Sequence, residues 1–282
     1  EKFNELKLFE QEYKALSVSY EGELEEKFKS SRSSVPECFE EYFSDVMLIK
    51  RLREVCALKG YRRITPEKSY DEADCDKVKI RDYAPLSSQK LEWLPAVEMT
   101  GEGIFIRFNE NRIKEWESII GKRYERMGSN LKMGNMIRDN FSPRYVLLHT
   151  FAHLLIRQIT IQCGYSSSAL KERIYSTYKD SEFNMAGVLI YTSSSDSDGS
   201  LGGVVRQGEA DVLNNTVLNL LQEASWCSSD PLCIESTDQG YNSLNYAACH
   251  ACALLPETSC ESRNSLLDRV ALTGKMEDRS LG

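Results

Sequence analysis

The stretch Trp226-Cys227-Ser228-Ser229-Asp230-Pro231-Leu232-Cys233 decides how this chain is organised, together with Cys249-His250-Ala251-Cys252 and the later Cys260. Five of the nine cysteines therefore fall within residues 227–260. A Cys-x-x-Cys turn directs two sulfurs towards one point, and converging cysteine groups give the tetrahedral sulfur environment that suits zinc. Prolines and small polar residues beside the thiols favour sharp loops over a packed core. The spacing predicts a structural zinc knuckle.

Four ligands complete a tetrahedron, so one of the five cysteines is in excess. In order of preference, the expected ligands are Cys249, Cys252, Cys260 and Cys233, with Cys227 or His250 in reserve. A site closed by four protein ligands has no open position for water. Its single zinc ion would therefore stabilise the fold and perform no chemistry.

Two other interpretations of the cysteines stay open. They are reduced thiols packed inside the protein, or a redox pair formed by Cys249 and Cys252. A thioredoxin-like pair ends a strand and opens the first helix of a βαβ unit. Here the preceding residues Gly240-Tyr241-Asn242-Ser243 are typical of a loop, and three further thiols lie nearby. The sequence therefore favours the metal site.

The composition is that of a soluble globular protein. A length of 282 residues with 41% hydrophobic content is sufficient to build a core. No apolar run reaches the roughly 20 residues of a membrane span, and the charged N-terminus lacks the apolar segment of a signal peptide. Nine cysteines, an odd number with metal spacing, favour a reducing cytoplasmic location over a secreted disulfide framework. The missing initiator Met suggests an excerpt of a longer chain.

The N-terminal region is expected to be mainly helical. Apolar residues recur near a helical period in segment 1–30, which predicts an amphipathic extension that either packs on its own domain or docks elsewhere. A second helix is expected from about residue 39 to a C-cap at Gly60. After a polar loop, residues 93–108 predict a β-hairpin whose turn contains Gly101 and Gly103. A helix with Ile113 on its apolar face follows.

Residues 121–144 form a locally basic segment inside a chain of formal net charge −8. A phosphate backbone could bind there, but the pattern favours a solvated charged face, because few aromatic residues are interleaved. The candidate nucleic-acid contacts are Lys122, Arg123, Arg126, Lys132, Arg138 and Arg144. The net charge itself argues against wholesale non-specific binding of nucleic acid.

The most apolar helix is predicted from the N-cap Ser142 and Pro143 to Cys163-Gly164. His149 and His153 stand four residues apart on it, at the spacing of a helical metal pair. The glutamate of the metalloprotease pattern His-Glu-x-x-His is replaced by Thr150. Histidines hydrogen-bonded at the edge of a core are therefore expected, with a catalytic metal as the alternative.

The remaining elements are a short helix near 169–174, a buried strand near 185–191, a helix near 209–225 and a short helix near 265–272. The loop after the strand contains Asp196, Asp198 and Gly202-Gly203, and we expect it to face a partner. A metal-dependent hydrolase or nuclease would combine Asp196 and Asp198 with the histidine pair. The chain contains neither a phosphate-binding loop nor a dinucleotide fingerprint, so it is not expected to be a motor.

A family resemblance covers roughly residues 50–272. Its motifs are His149-Thr150-Phe151-Ala152-His153-Leu154-Leu155, the segment 187–191 with Gly202-Gly203, and the cysteine groups up to Cys260-Glu261-Ser262-Arg263-Asn264. In order and spacing they resemble the domain of unknown function 1998, the zinc-binding module of MrfA-type repair helicases. Within that family the sequence is similar to the DrmB branch, the helicase-associated components of the DISARM antiphage system.

The resemblance implies that Cys249, Cys252 and Cys260 hold zinc. Helicase members of the family place two of their cysteines closer together than Cys227 and Cys233, which leaves the fourth ligand open. The resemblance further implies that this chain is an accessory subunit of a superfamily 2 DNA helicase. The helicase would supply ATP hydrolysis and would bring the complex to DNA. A direct DNA-binding module and a metal-dependent hydrolase are the alternatives.

These observations predict an α+β protein with a helical N-terminal part and a mixed α/β domain closed by the cysteine-rich knuckle. The expected divisions are an extension at 1–30, a helical region with the hairpin at 31–140, a zinc-binding domain at 141–274 and a polar tail at 275–282.

Overall fold

The computed structural model describes residues 5–20, 27–61, 84–87, 89, 91–133, 140–178, 181–192 and 203–274. Its helices are α1 (Glu5–Leu16), α2 (Glu110–Ile120), α3 (Glu125–Met133), α4 (Pro143–Cys163), α5 (Gly203–Arg206), α6 (Ala210–Ala224), α7 (Leu232–Glu235) and α8 (Val270–Thr273). Its strands are β1 (Phe28–Ser33), β2 (Phe43–Ala57), β3 (Gly60–Tyr61), β4 (Ala84–Pro85), β5 (Ala96–Phe108), β6 (Leu170–Ser176) and β7 (Ala186–Thr192). The predicted α+β class is confirmed.

An antiparallel sheet of five strands forms the centre of the molecule, in the order β1-β2-β5-β7-β6. A separate short pair joins β3 to β4. Helix α4 packs on one face of the sheet, against β6 and β7. Helix α1 lies on the other face, where Phe9, Tyr13 and Leu16 are buried with Met47 and Phe105. The central strands are therefore covered by side chains on both faces.

The predicted helix from 39 to 60 is wrong, because most of this segment is strand β2. Val46, Met47 and Ile49 are all fully buried. Val46 belongs to the core that includes α4, whereas Met47 and Ile49 belong to the core that includes α1 on the other face of the sheet. A strand buried on both faces has no alternation of apolar and polar residues, and its apolar run can imitate helical spacing. Pairing with β1 and β5 decides the conformation.

The predicted hairpin at 93–108 is also wrong, because β5 continues without a turn through Gly101 and Gly103. These glycines permit close approach of backbones: a Cβ on Gly101 would overlap the carbonyl of Thr192, and one on Gly103 would overlap the carbonyl of Ile190. Both carbonyls belong to the neighbouring strand β7. The glycine signal therefore reflects tight strand packing, which is the second common reason for glycine within a strand.

Helix α4 begins and ends where its sequence predicts. The Ser142 side chain accepts a hydrogen bond from the backbone N–H of Tyr145, Pro143 occupies the first turn, and Gly164 ends the helix in the left-handed conformation. Buried residues surround the helix on nearly all sides over its first four turns. A helix buried in this way is expected at the centre of a core, and the prediction of an apolar helix from Ser142 to Gly164 is confirmed.

Several smaller predictions have mixed outcomes. The helices predicted near 113–120 and 209–225 and the strand near 185–191 are confirmed as α2, α6 and β7. The segment 169–174, predicted to be helical, is strand β6, and the last helix is limited to α8. Asp196, Asp198 and Gly202 lie outside the described residues. Among the described helices, none has both the length and the apolar character needed to cross a membrane.

Candidate metal centre

Four thiols converge in the segment that follows α6, one of them in the short helix α7. Their sulfurs belong to Cys227, Cys233, Cys249 and Cys252, and all lie within 4.8 Å of one another. The sulfur–sulfur distances are 3.6 Å from Cys227 to Cys249, 3.8 Å from Cys233 to Cys252 and 3.7 Å from Cys249 to Cys252. A zinc ion bound to four sulfurs at about 2.3 Å requires sulfur–sulfur separations of about 3.8 Å. The geometry therefore fits a tetrahedral zinc ion.

Backbone hydrogen bonds prepare these sulfurs to act as thiolates. The N–H of Ser229 donates to the sulfur of Cys227, and the N–H of Cys249 donates to the sulfur of Cys252. Burial acts to raise the pKa of Cys249, but the backbone N–H of Ala251 and the neighbouring thiols lower it to about 7. Burial raises the pKa of Cys233 and Cys252. Four thiolates this close repel one another, and a bound divalent cation removes that cost.

Asp230 organises the first cysteine loop. One oxygen of its carboxylate accepts from the backbone N–H of Cys227 at 2.8 Å, and the other accepts from that of Ile234 at 2.9 Å. The same carboxylate forms an ion pair with Arg269, whose guanidinium is fully buried and also donates to the carbonyl of Ala224. The loop is therefore attached both to the end of α6 and to α8. Sequence reasoning treated Asp230 only as a turn former and assigned Arg269 no role.

The second cysteine loop is attached to helix α4. His153 Nδ1 lies 2.9 Å from the carbonyl oxygen of Ala253, and the Arg157 guanidinium donates to the carbonyl of Ala251 at 2.9 Å. His153 and Arg157 of α4 therefore position the loop that contains Cys249 and Cys252. His250, the reserve ligand, is exposed and belongs to neither group of converging ligands.

Cys260 does not join the four thiols. Its sulfur lies 3.2 Å from Nε2 of His149, in a different buried cluster with His153 and Glu172. The expected set of Cys249, Cys252 and Cys260 is thus divided between two places. The reason is topological: the backbone N–H of Glu172 donates to the carbonyl of Ser259 at 3.1 Å, which holds the following residue beside strand β6. Cys227, the reserve thiol, occupies the position expected for Cys260.

The comparison with protein families agrees with this geometry. Residues 151–253 match the family described as the MrfA Zn-binding domain. The chain contains an MrfA-type zinc-binding domain. The match includes all four converging cysteines and ends before Cys260. The family assignment and the zinc site expected from the cysteine motifs are therefore confirmed at the level of the domain.

A second similarity extends far beyond the MrfA-type zinc-binding domain. The chain is 40% identical over 286 aligned residues to the "DISARM protein DrmB" of Bacillus paralicheniformis (strain ATCC 9945a / NCIMB 11709 / CD-2). The alignment includes 98% of this chain. The chain spans about half the length of that relative, 49%. The resemblance to the DrmB branch is confirmed.

The candidate nucleic-acid contacts that the structure describes do not form one basic surface. Arg144 is buried and forms ion pairs with Glu110 at 3.0 Å and Glu117 at 2.7 Å. Arg123 is mostly buried and forms an ion pair with Asp268 at 2.7 Å. Both guanidiniums are thus committed to carboxylates inside the protein.

Three of the other basic candidates differ from these two. Arg126 is exposed and lies 3.3 Å from Asp238, while Lys122 and Lys132 are exposed. Arg138 lies outside the described residues. The charges of Arg123 and Arg144 are neutralised by carboxylates in the interior. The described residues therefore do not form a phosphate-binding surface that includes all six side chains.

Proposed function

We propose that this chain is a non-catalytic accessory subunit that binds and assists a superfamily 2 DNA helicase in bacterial antiphage defence of the DISARM type. The observation that carries the proposal is the 40% identity to the DISARM protein DrmB across 98% of the chain. Similarity along the whole chain, rather than in one motif, indicates that the fold and its surfaces are shared. The protein would be located in the cytoplasm, where the defence system would encounter phage DNA.

The cysteine cluster supports the non-catalytic part of the proposal. Its four sulfurs complete a tetrahedron, and a zinc ion with four protein ligands has no position left for water or substrate. The metal would then hold the two cysteine loops in place. In addition, the sequence contains no phosphate-binding loop and no dinucleotide fingerprint, so ATP hydrolysis would come from the helicase.

The hydrolase alternative requires His149 and His153 to hold a metal that water can reach. Both imidazoles have no solvent exposure in the structure, at 0% each. A hydrolytic zinc needs an open coordination position and access for its substrate, and these buried rings offer neither. The alternative predicts that replacing both histidines abolishes a measurable hydrolytic activity, and unchanged activity would exclude it.

Direct DNA binding is supported less well than a contact made through the helicase. Of the basic candidates, those that are exposed and described are Lys122, Arg126 and Lys132, with Arg126 close to Asp238. A module of this kind would show an affinity that falls steeply with salt and disappears after charge reversal at these three positions. An affinity unchanged by the reversal would place any DNA contact elsewhere.

Co-purification tests the proposed function. The protein would carry an affinity tag and be expressed with the helicase from its own operon. We expect the helicase to co-purify at low salt, with Cys249→Ser weakening capture and the exposed His250→Ala leaving it unchanged. Failure of the helicase to co-purify with the unaltered protein at low salt would overturn the proposal.

A defence assay complements the pull-down. Cells that carry the complete operon should restrict phage plating, and the Cys249→Ser substitution should reduce that restriction, because loss of the zinc ion unfolds the cysteine loops. The matched control is again His250→Ala. Restriction that persists without the gene for this protein would exclude an accessory role in defence.

A further inference from the structure

A second group of metal-ligating side chains converges inside the protein, apart from the four thiols. His149 and His153 come from α4, Glu172 from β6 and Cys260 from the loop before α8. One ligand atom from each residue lies within 4.8 Å of the other three. All four residues are buried, with the two histidines at 0% exposure.

The distances fit a small coordination sphere. His149 Nε2 lies 2.9 Å from Glu172 Oε1 and 3.2 Å from the sulfur of Cys260. His153 Nε2 lies 3.4 Å from the same carboxylate oxygen. Ligands at about 2.0–2.3 Å from a tetrahedral zinc ion are separated from one another by roughly 3.3–3.8 Å. A small outward shift of the side chains would accommodate an ion at the centre.

The second ring nitrogen of each histidine, Nδ1, has a hydrogen-bond partner of its own. His149 Nδ1 faces the carbonyl oxygen of Leu266 at 3.4 Å, and His153 Nδ1 faces that of Ala253 at 2.9 Å. A carbonyl oxygen can only accept a hydrogen bond, so Nδ1 carries a proton, and a neutral ring in this orientation would have its lone pair on Nε2. A hydrogen bond from the second nitrogen to a carbonyl is the usual support for a histidine that binds a metal.

The buried carboxylate makes the arrangement costly without a cation. Both oxygens of Glu172 are buried, and Oε1 faces Nε2 of His149 at 2.9 Å and Nε2 of His153 at 3.4 Å. Without a cation, the carboxylate is compensated only if one of these rings also carries a proton on Nε2. A divalent ion would replace that proton and bind the two imidazoles and the carboxylate at once.

The backbone around Cys260 supports a thiolate. The N–H groups of Ser262 and Asn264 both donate to its sulfur, each at 3.2 Å. The loop is closed by Asn264, whose side chain exchanges two hydrogen bonds with the backbone of Leu255, at 2.9 and 2.7 Å. Burial and the Glu172 carboxylate raise the pKa of Cys260, these two donors oppose that rise, and a bound cation would supply the remaining stabilisation of a thiolate.

We propose that His149, His153, Glu172 and Cys260 hold a second metal ion, a divalent cation of the zinc class. Two imidazoles, one thiolate and one carboxylate form a borderline-soft set that suits Zn²⁺ and disfavours Mg²⁺ or Ca²⁺. Four buried protein ligands close the site, so the ion is structural. It joins the central helix α4 to edge strand β6 and to the loop before α8, whereas the zinc ion of the MrfA-type domain joins the two cysteine loops.

The unaltered chain provides the first test. After loosely bound metal is removed with a chelating resin, elemental analysis should find about two zinc ions per chain, one in each tetrahedral site. X-ray absorption at the zinc edge should then show an average of about 2.5 sulfur and 1.5 nitrogen or oxygen donors per ion. One zinc ion per chain with four sulfur donors would overturn the proposal. The proposal would also fail if a second zinc ion were present before treatment but were removed by the resin.

Substitutions assign the ions to their sites. Glu172→Gln and Cys260→Ser should each reduce zinc from two ions to one and leave an environment of four sulfurs. The matched controls, His250→Ala and the exposed Cys56→Ser, should retain both ions. If a ligand variant does not fold, the absorption spectrum of the unaltered chain decides alone. Zinc content unchanged by both ligand substitutions would exclude this site.

Discussion

The cluster of four thiols and the cluster of His149, His153, Glu172 and Cys260 lie close together but differ in their surroundings. Three of the four thiols come from loops and Cys233 from the short helix α7; Cys227 and Cys252 line a cleft of about 790 Å³, and Cys249 is partly exposed. The other cluster is enclosed between α4, β6 and the loop before α8. The largely irregular cysteine segment has no strand ladder or long helix of its own and therefore depends on an internal crosslink, whereas the second cluster lies between long regular elements.

The two clusters are also connected. Ala253 follows the zinc-cluster residue Cys252, and its carbonyl faces Nδ1 of His153 in the second cluster. Any shift of the second cysteine loop is therefore transmitted to a histidine of the other cluster. This arrangement predicts that damage to either cluster weakens the other, while the loop cluster contributes more to folding.

The largest effect is expected from breaking the cluster of four thiols. In Cys249→Ser/Cys252→Ser the two cysteine loops should not fold, because a structural zinc ion contributes about 10–16 kcal/mol of binding free energy to folding. Circular dichroism in the near ultraviolet and limited proteolysis would measure the loss. The control Cys56→Ser should retain the native spectrum, and a native spectrum in the double variant would show that the loops fold without the ion.

The second-largest effect is expected from Glu172→Gln. Removing one member of a buried ionic set leaves the others uncompensated, so the free energy of unfolding should fall by about 3–5 kcal/mol. Urea denaturation measures this change. The adjacent Lys171→Gln breaks only a half-exposed pair with Glu54 and should cost less than about 1 kcal/mol. Equal effects at the two positions would show that Glu172 has no special partner.

A smaller effect tests the link between α4 and the cysteine loop. Arg157→Met removes the hydrogen bond to the carbonyl of Ala251, which should lower the free energy of unfolding by about 1 kcal/mol. The exposed Arg126→Met provides the control, since its pair with Asp238 is expected to contribute about 0–1 kcal/mol. Release of zinc to a colourimetric chelator should become faster in Arg157→Met alone, and an unchanged rate would show that this bond does not hold the loop.

The smallest effect is expected at His250, which lies between two zinc-binding cysteines but is exposed. His250→Ala should change the free energy of unfolding by no more than about 0.5 kcal/mol and leave the zinc content unchanged. Elemental analysis and urea denaturation check both statements. A loss of zinc would reassign His250 from a surface residue to a ligand.

The two clusters also explain what could be predicted from the sequence. The thiols occupy a short segment in which spacing and turn residues specify the geometry locally, so the zinc knuckle was predictable. The choice among five cysteines was not, because the position of Cys260 depends on the bond between Glu172 and Ser259. Glu172 itself was missed, since a segment rich in helix-forming charged residues was predicted to be a helix and pairs with β7 as a strand instead.

The same contrast holds for the rest of the chain. Helix α4 was predicted closely because its signals are local: the cap at Ser142, the proline after it and the glycine at its end. Strand β2 was predicted as a helix because both faces of its first half are buried, which removes the alternation that marks a strand. Gly101 and Gly103 suggested a turn, although their function is close contact with β7.

The sequence by itself determined the α+β class, the central helix and the presence of a zinc knuckle, because capping, periodicity and short ligand spacing act over a few residues. Only the tertiary structure decided the five-stranded sheet, the division of the cysteines between two clusters and the meeting of His149 and His153 with Glu172 and Cys260. The physical reason is that strand pairing and burial on two faces bring together residues that are far apart in the chain. Local propensities carry no information about such contacts.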